Sequence, residues 1–300
     1  MTVASLFVFT LGTYGPGDPV IVMMGARYNP ETADRMRKEL GLDRPFHVQY
    51  SEYMWNFVRG DFGESLRFRG QPVRDIILPK MWVSAQLALV ATAIVVVLAL
   101  PLGFYIAHRQ GRWDDPTIVA IAVILGAIPI MVTVPSLLWF FCRYVKWIPC
   151  SGWGGIFDLR IVVPVISMGV FQIAGLLRLM RASTLDVMGQ DFVRTARAKG
   201  LSIFQVDRIH VLRNALIPVV TVMAFSLAGL IGGSFITETI MGIPGIGRFV
   251  VESVFNRDYP VIMAVTLIGA AAFGLSTLLA DIAYAMIDPR IRYDSESNLN

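Results

Sequence analysis

Residues 178–218 read RLMRASTLDVMGQDFVRTARAKGLSIFQVDRIHVLRNALIP, the most basic short segment of an otherwise apolar chain. An uncharged apolar run precedes this insert and another follows it. A charged insert of this length between two membrane spans must fold in water, on the side where Lys and Arg accumulate. The prediction is a cytoplasmic cationic loop. Its charged residues are Arg178, Arg181, Arg194, Arg197, Lys199, Arg208 and Arg213, against Asp186, Asp191 and Asp207.

The insert has the local pattern of a helix, a break and a second helix. Asp191 is predicted to cap the N-terminus of a segment rich in good helix formers, residues 192–199. Gly200 supplies the left-handed residue that commonly ends a helix. Ser202 and Gln205 follow at capping-box spacing and restart the helix. The prediction is a compact surface knob that binds another protein, and an ordinary solvated loop held near anionic lipid headgroups is the alternative.

The rest of the chain predicts an all-α integral membrane protein. Hydrophobic residues make up 55% of its 300 residues and charged residues 16%, far from the average of soluble domains. A first apolar run, residues 3–14, begins almost at the initial Met and is predicted to be the outer part of a first span, incomplete at its start; a peripheral helix is the alternative. Five further uncharged runs meet or approach the ~20 residues that a helix needs to cross hydrocarbon. They are residues 82–107, 116–142, 161–177, 214–237 and 259–280.

The predicted organisation is a first helix at 1–14, an extracytoplasmic loop at 15–81 and a transmembrane domain at 82–300 that contains a cytoplasmic loop at 178–214. In the loop, PGDP at 16–19 predicts a turn, and residues 30–40 predict an amphipathic helix that Gly41 stops. Residues 49–58 form an aromatic segment that suits a membrane interface. The shorter loops carry eleven Lys and Arg on one side against five on the other. This count places the charged insert in the cytoplasm and the long loop outside.

Residues 238–260, ETIMGIPGIGRFVVESVFNRDYP, predict a turn followed by a short half-buried helix at 246–255. Such a segment can dip back into a membrane protein only where it is shielded from lipid or lines a wet cavity. It is therefore a candidate lining for a translocation path, and a surface hairpin is the alternative. The candidate path residues are Glu238, Met241, Pro244 and Ile246.

Other chemistry finds little support in the sequence. The chain has no G-x-x-x-x-G-K-[ST] phosphate loop, no H-E-x-x-H and no C-x-x-C pair, so we predict neither a catalytic residue nor a metal site. The net charge of +4 reflects membrane topology and does not imply nucleic-acid binding. Cys142 and Cys150 could form a disulfide if their side is oxidising, although packing roles are favoured. Asp281 could mark a proton or cation site, but its proximity to the tail favours a structural role.

The segment at residues 190–218 resembles the cytoplasmic loop of bacterial ABC importer permeases, in the version of the oligopeptide, dipeptide and nickel family. The general pattern is E-A-A, three residues, Gly, nine residues and then I-x-L-P; Ala196, Gly200 and Leu212 match it. The departures, at Arg194, Thr195, His210 and Arg213, are usual for the peptide branch. Further resemblances are PGDP at 16–19, ELGLDRP at 39–45, GDFGESL at 60–66, PLGFYIA at 101–107, WIPCSGWG at 147–154, the segment 238–260 and LADIAYAMIDPRIRY at 279–293. Together they indicate the first of two permease subunits, the kind with a long loop after its first span.

The resemblance implies a type I ABC importer permease fold with six transmembrane helices and a long external loop between the first two. It implies a second homologous permease, two ATP-binding subunits and an extracytoplasmic binding protein as partners in the plasma membrane. The cargo would be di- or oligopeptides or a related small solute. This chain would bind no cofactor, because ATP and Mg would be used by the ATPase subunits. The knob would be the coupling helix, and its contact residues would be Gln190, Asp191, Phe192, Arg194, Thr195, Ala196, Arg197, Lys199, Gly200 and Leu201.

Two other classes of function remain open on the residues alone. A stand-alone secondary transporter or channel is expected to have paired broken helices and ionisable groups near mid-membrane, and mid-span charge is nearly absent here. A membrane scaffold would use the knob only to recruit a cytoplasmic partner. Substrate-stimulated ATP hydrolysis after co-expression with partner subunits separates these functions.

Overall fold

The computed structural model describes residues 2–14, 29–39, 41–232 and 234–287, together with residues 20 and 24. Within that part of the chain the regular structure is helical, apart from one isolated bridge between Glu64 and Pro72. The helices are α1 (Thr2–Tyr14), α2 (Pro30–Glu39), α3 (Phe46–Val58), α4 (Val73–Ala107), α5 (Asp114–Ala127), α6 (Ile130–Leu138), α7 (Val162–Met188), α8 (Asp191–Ala198), α9 (Ile203–Gln205), α10 (Arg213–Gly232), α11 (Phe235–Met241), α12 (Ile246–Phe255) and α13 (Tyr259–Ile287). Two π-helical segments, Trp139–Tyr144 and Val206–Leu212, and a 3-10 turn, Leu159–Ile161, complete the elements. The predicted turn at 16–19 and the tail after residue 287 lie outside the described residues.

Three of the described helices are long and apolar enough to cross a membrane. They are Val73–Ala107, Leu159–Met188 and Tyr259–Ile282. The bent pair of Asp114–Ala127 and Ile130–Tyr144 makes a fourth if it counts as one span, and Val3–Thr13 is a shorter apolar helix. The chain is thus a mostly helical membrane protein, and the number of six spans stays a prediction.

The apolar run at 116–142 is not the single straight helix that its composition suggested. It forms α5 and α6, which are bent by 91°. The break falls at Ile128, whose extended backbone (φ −71°, ψ 121°) directly precedes Pro129. Proline disfavours a helical residue before it and has no N–H to continue the ladder. The Thr133 hydroxyl donates to the carbonyl oxygens of Pro129 at 3.2 Å and Ile128 at 3.4 Å, so one side chain supplies a donor to the Ile128 carbonyl at the break.

The helices α4 and α7 form the central pair of the bundle. A Cβ built on Gly103 of α4 would lie 2.7 Å from the carbonyl oxygen of Leu177 and 2.8 Å from Cβ of Met180, both on α7. Glycine permits this approach, and close packing is a main source of helix association in a membrane. The surrounding core is fully buried and includes Val95, Ala99, Ile106, Leu177, Met180, Ala215 and Val219.

The charged insert begins later than predicted. Helix α7 continues to Met188, so Arg178 and Arg181 lie on a span-long helix rather than in a loop. Arg181 donates from Nε and Nη2 to the two carboxylate oxygens of Asp115, each at 2.6 Å. The Asp115 side chain is only 5% exposed. This bidentate ion pair ties the last turns of α7 to the first turn of α5.

The loop between α1 and α4 is packed onto the bundle at both ends. Phe9 of α1 lies with its ring centroid 5.5 Å from Phe46 and 5.6 Å from Tyr50 of α3. At the other end of the loop, just before α4, the Ser65 hydroxyl and the Leu66 N–H donate hydrogen bonds to the buried carboxylate of Asp258, which follows α12. The Leu66 bond is 3.1 Å long. The predicted helix at 30–40 is present as α2, and Gly41 has the left-handed backbone (φ +67°) predicted for its stop.

We expect replacement of Arg181 by Met to lower the free energy of unfolding by about 2–3 kcal/mol, because it leaves the Asp115 carboxylate buried without its partner. The double variant Arg181→Met/Asp115→Leu should recover much of that loss, since no charge is then left unpaired. Thermal unfolding of the detergent-purified protein measures both. Arg112→Gln is the control, because Arg112 is 62% exposed and 3.7 Å from Asp114, and it should cost less than about 1 kcal/mol. A double variant as unstable as the single one would contradict the prediction.

Candidate functional site

Residues 189–212, here called the elbow, form two short arms between α7 and α10. The first arm, α8, begins one residue earlier than predicted. Gln190 precedes it with an extended backbone (φ −75°, ψ 149°) and makes no side-chain capping bond. The predicted N-cap role of Asp191 is therefore wrong, and Asp191 is the first helical residue. There its carboxylate lies at the positive end of the helix dipole, 3.5 Å from Arg194.

The first arm has one buried side. Val193 (0% exposed) and Ala196 (5%) pack in a cluster with Val206 and Val211 of the second arm, and Phe104 of α4 packs against it. The spacing of three residues keeps Val193 and Ala196 on one face of the helix. Of the ten residues predicted to contact a partner, Ala196 is thus buried and the other nine are exposed: Gln190, Asp191, Phe192, Arg194, Thr195, Arg197, Lys199, Gly200 and Leu201.

Gly200 makes the turn between the arms, as predicted. Its backbone is left-handed, with φ +81°. The Leu201 N–H bonds the Ala196 carbonyl at 3.4 Å and the Gly200 N–H bonds the Arg197 carbonyl at 3.0 Å. This pair of hydrogen bonds is the Schellman motif, which satisfies carbonyls at a helix end. The first arm therefore ends at a defined residue, and the left-handed backbone of Gly200 sets the direction in which the chain continues.

The second arm begins with the predicted capping box. The Gln205 N–H donates to Ser202 Oγ at 3.4 Å, and the Ser202 N–H donates to Gln205 Oε1 at 3.2 Å. The π-helical segment Val206–Leu212 then leads directly into α10. Its Asp207 carboxylate lies 3.0 Å from Nε2 of His108, the residue after α4. Both arms are thus fastened to the end of α4.

The exposed side of the elbow is apolar as well as cationic. Phe192 is 44% exposed and Leu201 39%, whereas Ile203 is 72% and Phe204 71% exposed. The exposure of Ile203 was not predicted from the sequence. Ile203 lies three residues before the buried Val206, a spacing that would place both on one helix face, so no local signal identifies its exposure. Large apolar side chains this exposed, beside cationic ones, are typical of a protein-binding surface.

The second candidate region, residues 234–258, is organised around Glu238. This carboxylate has no exposed surface and accepts hydrogen bonds from the Ser84 hydroxyl at 2.7 Å, the Ser234 N–H at 3.0 Å and the Arg248 N–H at 2.9 Å. Ser84 Oγ in turn accepts from the Ile246 N–H at 2.8 Å. The network joins α4, α11 and the start of α12. Ser84 lies 154 residues from Glu238 in the chain, and sequence reasoning did not identify it.

The path candidates therefore have different surroundings. Glu238, Met241 and Ile246 have 0% exposure, so in this conformation they offer no surface to a solute. Pro244 is exposed at the turn between α11 and α12. The predicted helix at 246–255 is present as α12. The backbone of Gly245 packs closely against the Glu238 side chain, since a Cβ added to Gly245 would lie 2.4 Å from Cδ of Glu238.

The remaining candidates take no part in these sites. Cys142 and Cys150 are free thiols, and Asp281 is exposed. Among the described residues, no group of three or more His, Cys, Asp or Glu side chains could hold a metal ion.

Comparison with known proteins identifies the family. The family described as "Binding-protein-dependent transport system inner membrane component" matches residues 99–293, which include the elbow and the Glu238 region. This chain belongs to that family. Its N-terminal companion, "Binding-prot-dependent transport system membrane comp, N-term", matches residues 1–68. The family is the membrane permease of ABC importers and not their ATPase, so the chain is a multi-pass inner-membrane permease.

Curated relatives of this permease span nearly all of it. The probable peptide ABC transporter permease y4tP of Sinorhizobium fredii is 35% identical over 299 residues, 98% of this chain and 95% of the relative. The oligopeptide permease protein OppB of Haemophilus influenzae is 37% identical over 289 residues, 96% and 93% of the two chains. The dipeptide permease protein DppB of Escherichia coli is 33% identical over 319 residues, 96% and 94%. The predicted family and its first-subunit type are confirmed.

A solved structure shares the fold of this permease. The inward-facing MetNI methionine ABC transporter aligns with a TM-score of 0.56 at 18% identity, over 71% of this chain and 96% of that one. Membership of a binding-protein-dependent system implies ATPase and binding-protein partners.

We expect Gly200→Val to loosen the elbow and Gly200→Asn to leave it intact. No atom lies within 4 Å of a Cβ built at Gly200, so the effect comes from the left-handed backbone, which Asn tolerates and β-branched residues do not. Tryptic cleavage after Arg197 and Lys199 reports it, because proteolysis needs local unfolding. Cleavage should rise several-fold in the Val variant alone. Equal rates in both variants would contradict the strained-backbone explanation.

Glu238→Ala should lower the free energy of unfolding of the permease by about 2–4 kcal/mol, because it leaves a buried hydroxyl and two partly buried N–H groups without an acceptor. Glu238→Gln should cost less, since the amide oxygen keeps part of the network. Glu252→Ala is the matched control on the same segment, because Glu252 is 38% exposed in its pair with Arg248 and should cost less than about 1 kcal/mol. Similar losses at Glu238 and Glu252, measured by thermal unfolding, would refute the network.

Proposed function

We propose that this permease is the first of two membrane subunits of an ATP-driven importer of di- or oligopeptides or a related small solute. The relatives that carry peptide-permease names are 33–37% identical over nearly the whole chain, which supports the peptide class. A methionine importer shares the fold at 18% identity, so the fold alone does not select the solute.

The observation that carries the proposal is the two-sided construction of the elbow. One side is buried against the end of α4 through Val193, Ala196 and the contact of Asp207 with His108. The other side exposes Phe192, Ile203 and Phe204 among basic residues. A partner that grips the exposed side therefore moves the attached helices as one body. ATP-driven closure of the partner would rotate those helices and alternate the access of the passage.

The assembled importer would contain six spans in this subunit, formed by α1, α4, the α5–α6 pair, α7, α10 and α13, with residues 15–81 outside. A second homologous permease would complete the passage. Two ATP-binding subunits would dock at the cytoplasmic elbows, and a binding protein would deliver solute from outside. ATP and Mg would be bound by the ATPase subunits, and this chain would bind no cofactor. Arg194, Arg197 and Lys199 would meet an acidic rim on the ATPase and guide its docking.

The segment 234–258 would close the outer end of the passage in the present conformation. Pro244 would face the passage here, while Glu238, Met241 and Ile246 form the packed wall behind it. A change in the angle between α11 and α12 would bring that wall into contact with solute.

Co-expression with the ATPase, second permease and binding protein, followed by reconstitution, tests the function. The complex should take up peptide and hydrolyse ATP faster in its presence, whereas this chain alone should do neither.

Ile203→Ser/Phe204→Ser should reduce peptide-stimulated ATP hydrolysis at least tenfold with normal membrane insertion, because the elbow then lacks the apolar side chains that bind the ATPase. Phe157→Ser, at a 97% exposed residue outside the elbow, is the control and should leave peptide-stimulated ATP hydrolysis unchanged. Uphill uptake by the isolated chain would favour a stand-alone transporter, and full coupling in the double variant would refute the elbow as the docking site.

A further inference from the structure

A cavity of about 460 Å³ lies between α4, α5, α7 and α10. Its polar lining comes from Thr92, Gln172, Arg178 and Ser226. A second cavity of about 320 Å³ shares Gln172 and extends to the helix break at Pro129. Both volumes are in the range of small-molecule sites. The larger cavity is open to the surface of this chain, where Arg178 is exposed, and polar side chains from three helices favour water within it.

Arg178 is the charged residue among the described residues that line the larger cavity. Its Nε donates to the carbonyl oxygen of Ala174, four residues earlier on α7, at 3.1 Å. Its side chain therefore runs toward the N-terminus of the helix, as long helical side chains do, and away from the elbow. An arginine that extends to the nearer interface would run the other way.

The neighbouring Arg181 provides a comparison, because its charge has a structural partner within the bundle. Arg181 is engaged by both oxygens of Asp115. No acidic side chain among the described residues forms an ion pair with Arg178. A charge within a membrane helix that faces a cavity without a counter-ion typically marks a substrate or ion pathway.

We propose that Arg178 is an anion-binding residue of the solute passage, and that it receives a carboxylate of the solute, such as the C-terminal carboxylate of a peptide. The identity of the solute rests on the function proposed above. A guanidinium presents several N–H donors in a fixed fork that fits a carboxylate. Gln172, on the same helix and lining both cavities, would meet the amide groups of a peptide. Arg178 is thus a specificity-determining residue and not part of the coupling surface.

The first test measures the charge of the cavity without any transport. The full complex carries Cys142→Ser, Cys150→Ser and a reporter thiol from Ser226→Cys. The ratio of its reaction rates with an anionic and a cationic methanethiosulfonate reagent should fall roughly tenfold in Arg178→Gln, the size expected for one unit charge acting at about 10 Å in a wet protein site. Arg178→Lys should keep the ratio, and so should Arg112→Gln, which removes an equal charge outside the cavity. An unchanged ratio in Arg178→Gln, or a thiol at 226 that reacts with neither reagent, would overturn the proposal.

The second test asks whether a carboxylate is the ligand. A tripeptide with a free C-terminus should protect the thiol at 226 from a neutral reagent at roughly fivefold lower concentration than its C-terminal amide does, and Arg178→Gln should abolish the difference. Equal protection by the two peptides, or none by either, overturns the carboxylate assignment even if the complex imports peptide. A complex that imports no peptide refutes the proposed function, while the rate ratio still decides whether Arg178 sets the charge of the cavity.

Discussion

The close contact of α4 with α7 is the constraint on which the rest of the structure depends. Gly103 meets the carbonyl of Leu177 at a distance that leaves no space for a side chain, so the two helices cannot slide or rotate independently there. The next residue, Phe104, packs against the buried side of the elbow, and the elbow follows directly from α7. Force on the elbow therefore acts on both central helices at once. Interdigitated membrane helices transmit displacement in this way because packed interfaces are not continuously deformable.

The helix breaks are stable only because the protein supplies their missing hydrogen bonds. In hydrocarbon an unsatisfied backbone group costs several kcal/mol, so irregular backbone must be buried in protein or line a wet cavity. The Thr133 hydroxyl donates to the Ile128 carbonyl before Pro129, and the Glu238 carboxylate accepts from the Ser234 N–H before α11. Glu238 thus has a structural role that its position in the sequence did not reveal, since its partner Ser84 comes from a helix far away in the chain.

Local signals in the sequence predicted local structure well. The stop at Gly200 and the capping box of Ser202 and Gln205 are both present, because each depends on residues within one turn. The cap at Asp191 was wrong by one residue, a small difference that no local rule decides. The extent of α7 and the 91° bend after α5 were not predicted. The charged end of α7 has a tertiary partner in Asp115, which the sequence does not place near it. The bend has a local cause at Pro129, but Pro79 and Pro101 lie inside α4, so a proline alone does not locate a bend.

The arginines near the end of α7 show why charge counts alone mislead. Arg181 is paired in the bundle, Arg178 faces a cavity, and Arg194 and Arg197 lie on the exposed elbow. The prediction from the sequence placed all four arginines in one loop. Removing Arg178 and Arg181, which lie on α7, and Arg213, which lies on α10, leaves eight of the eleven Lys and Arg on that side, still against five. The predicted cytoplasmic orientation of the elbow therefore survives the correction, because the excess of basic residues on that side does not depend on those that lie on the long helices.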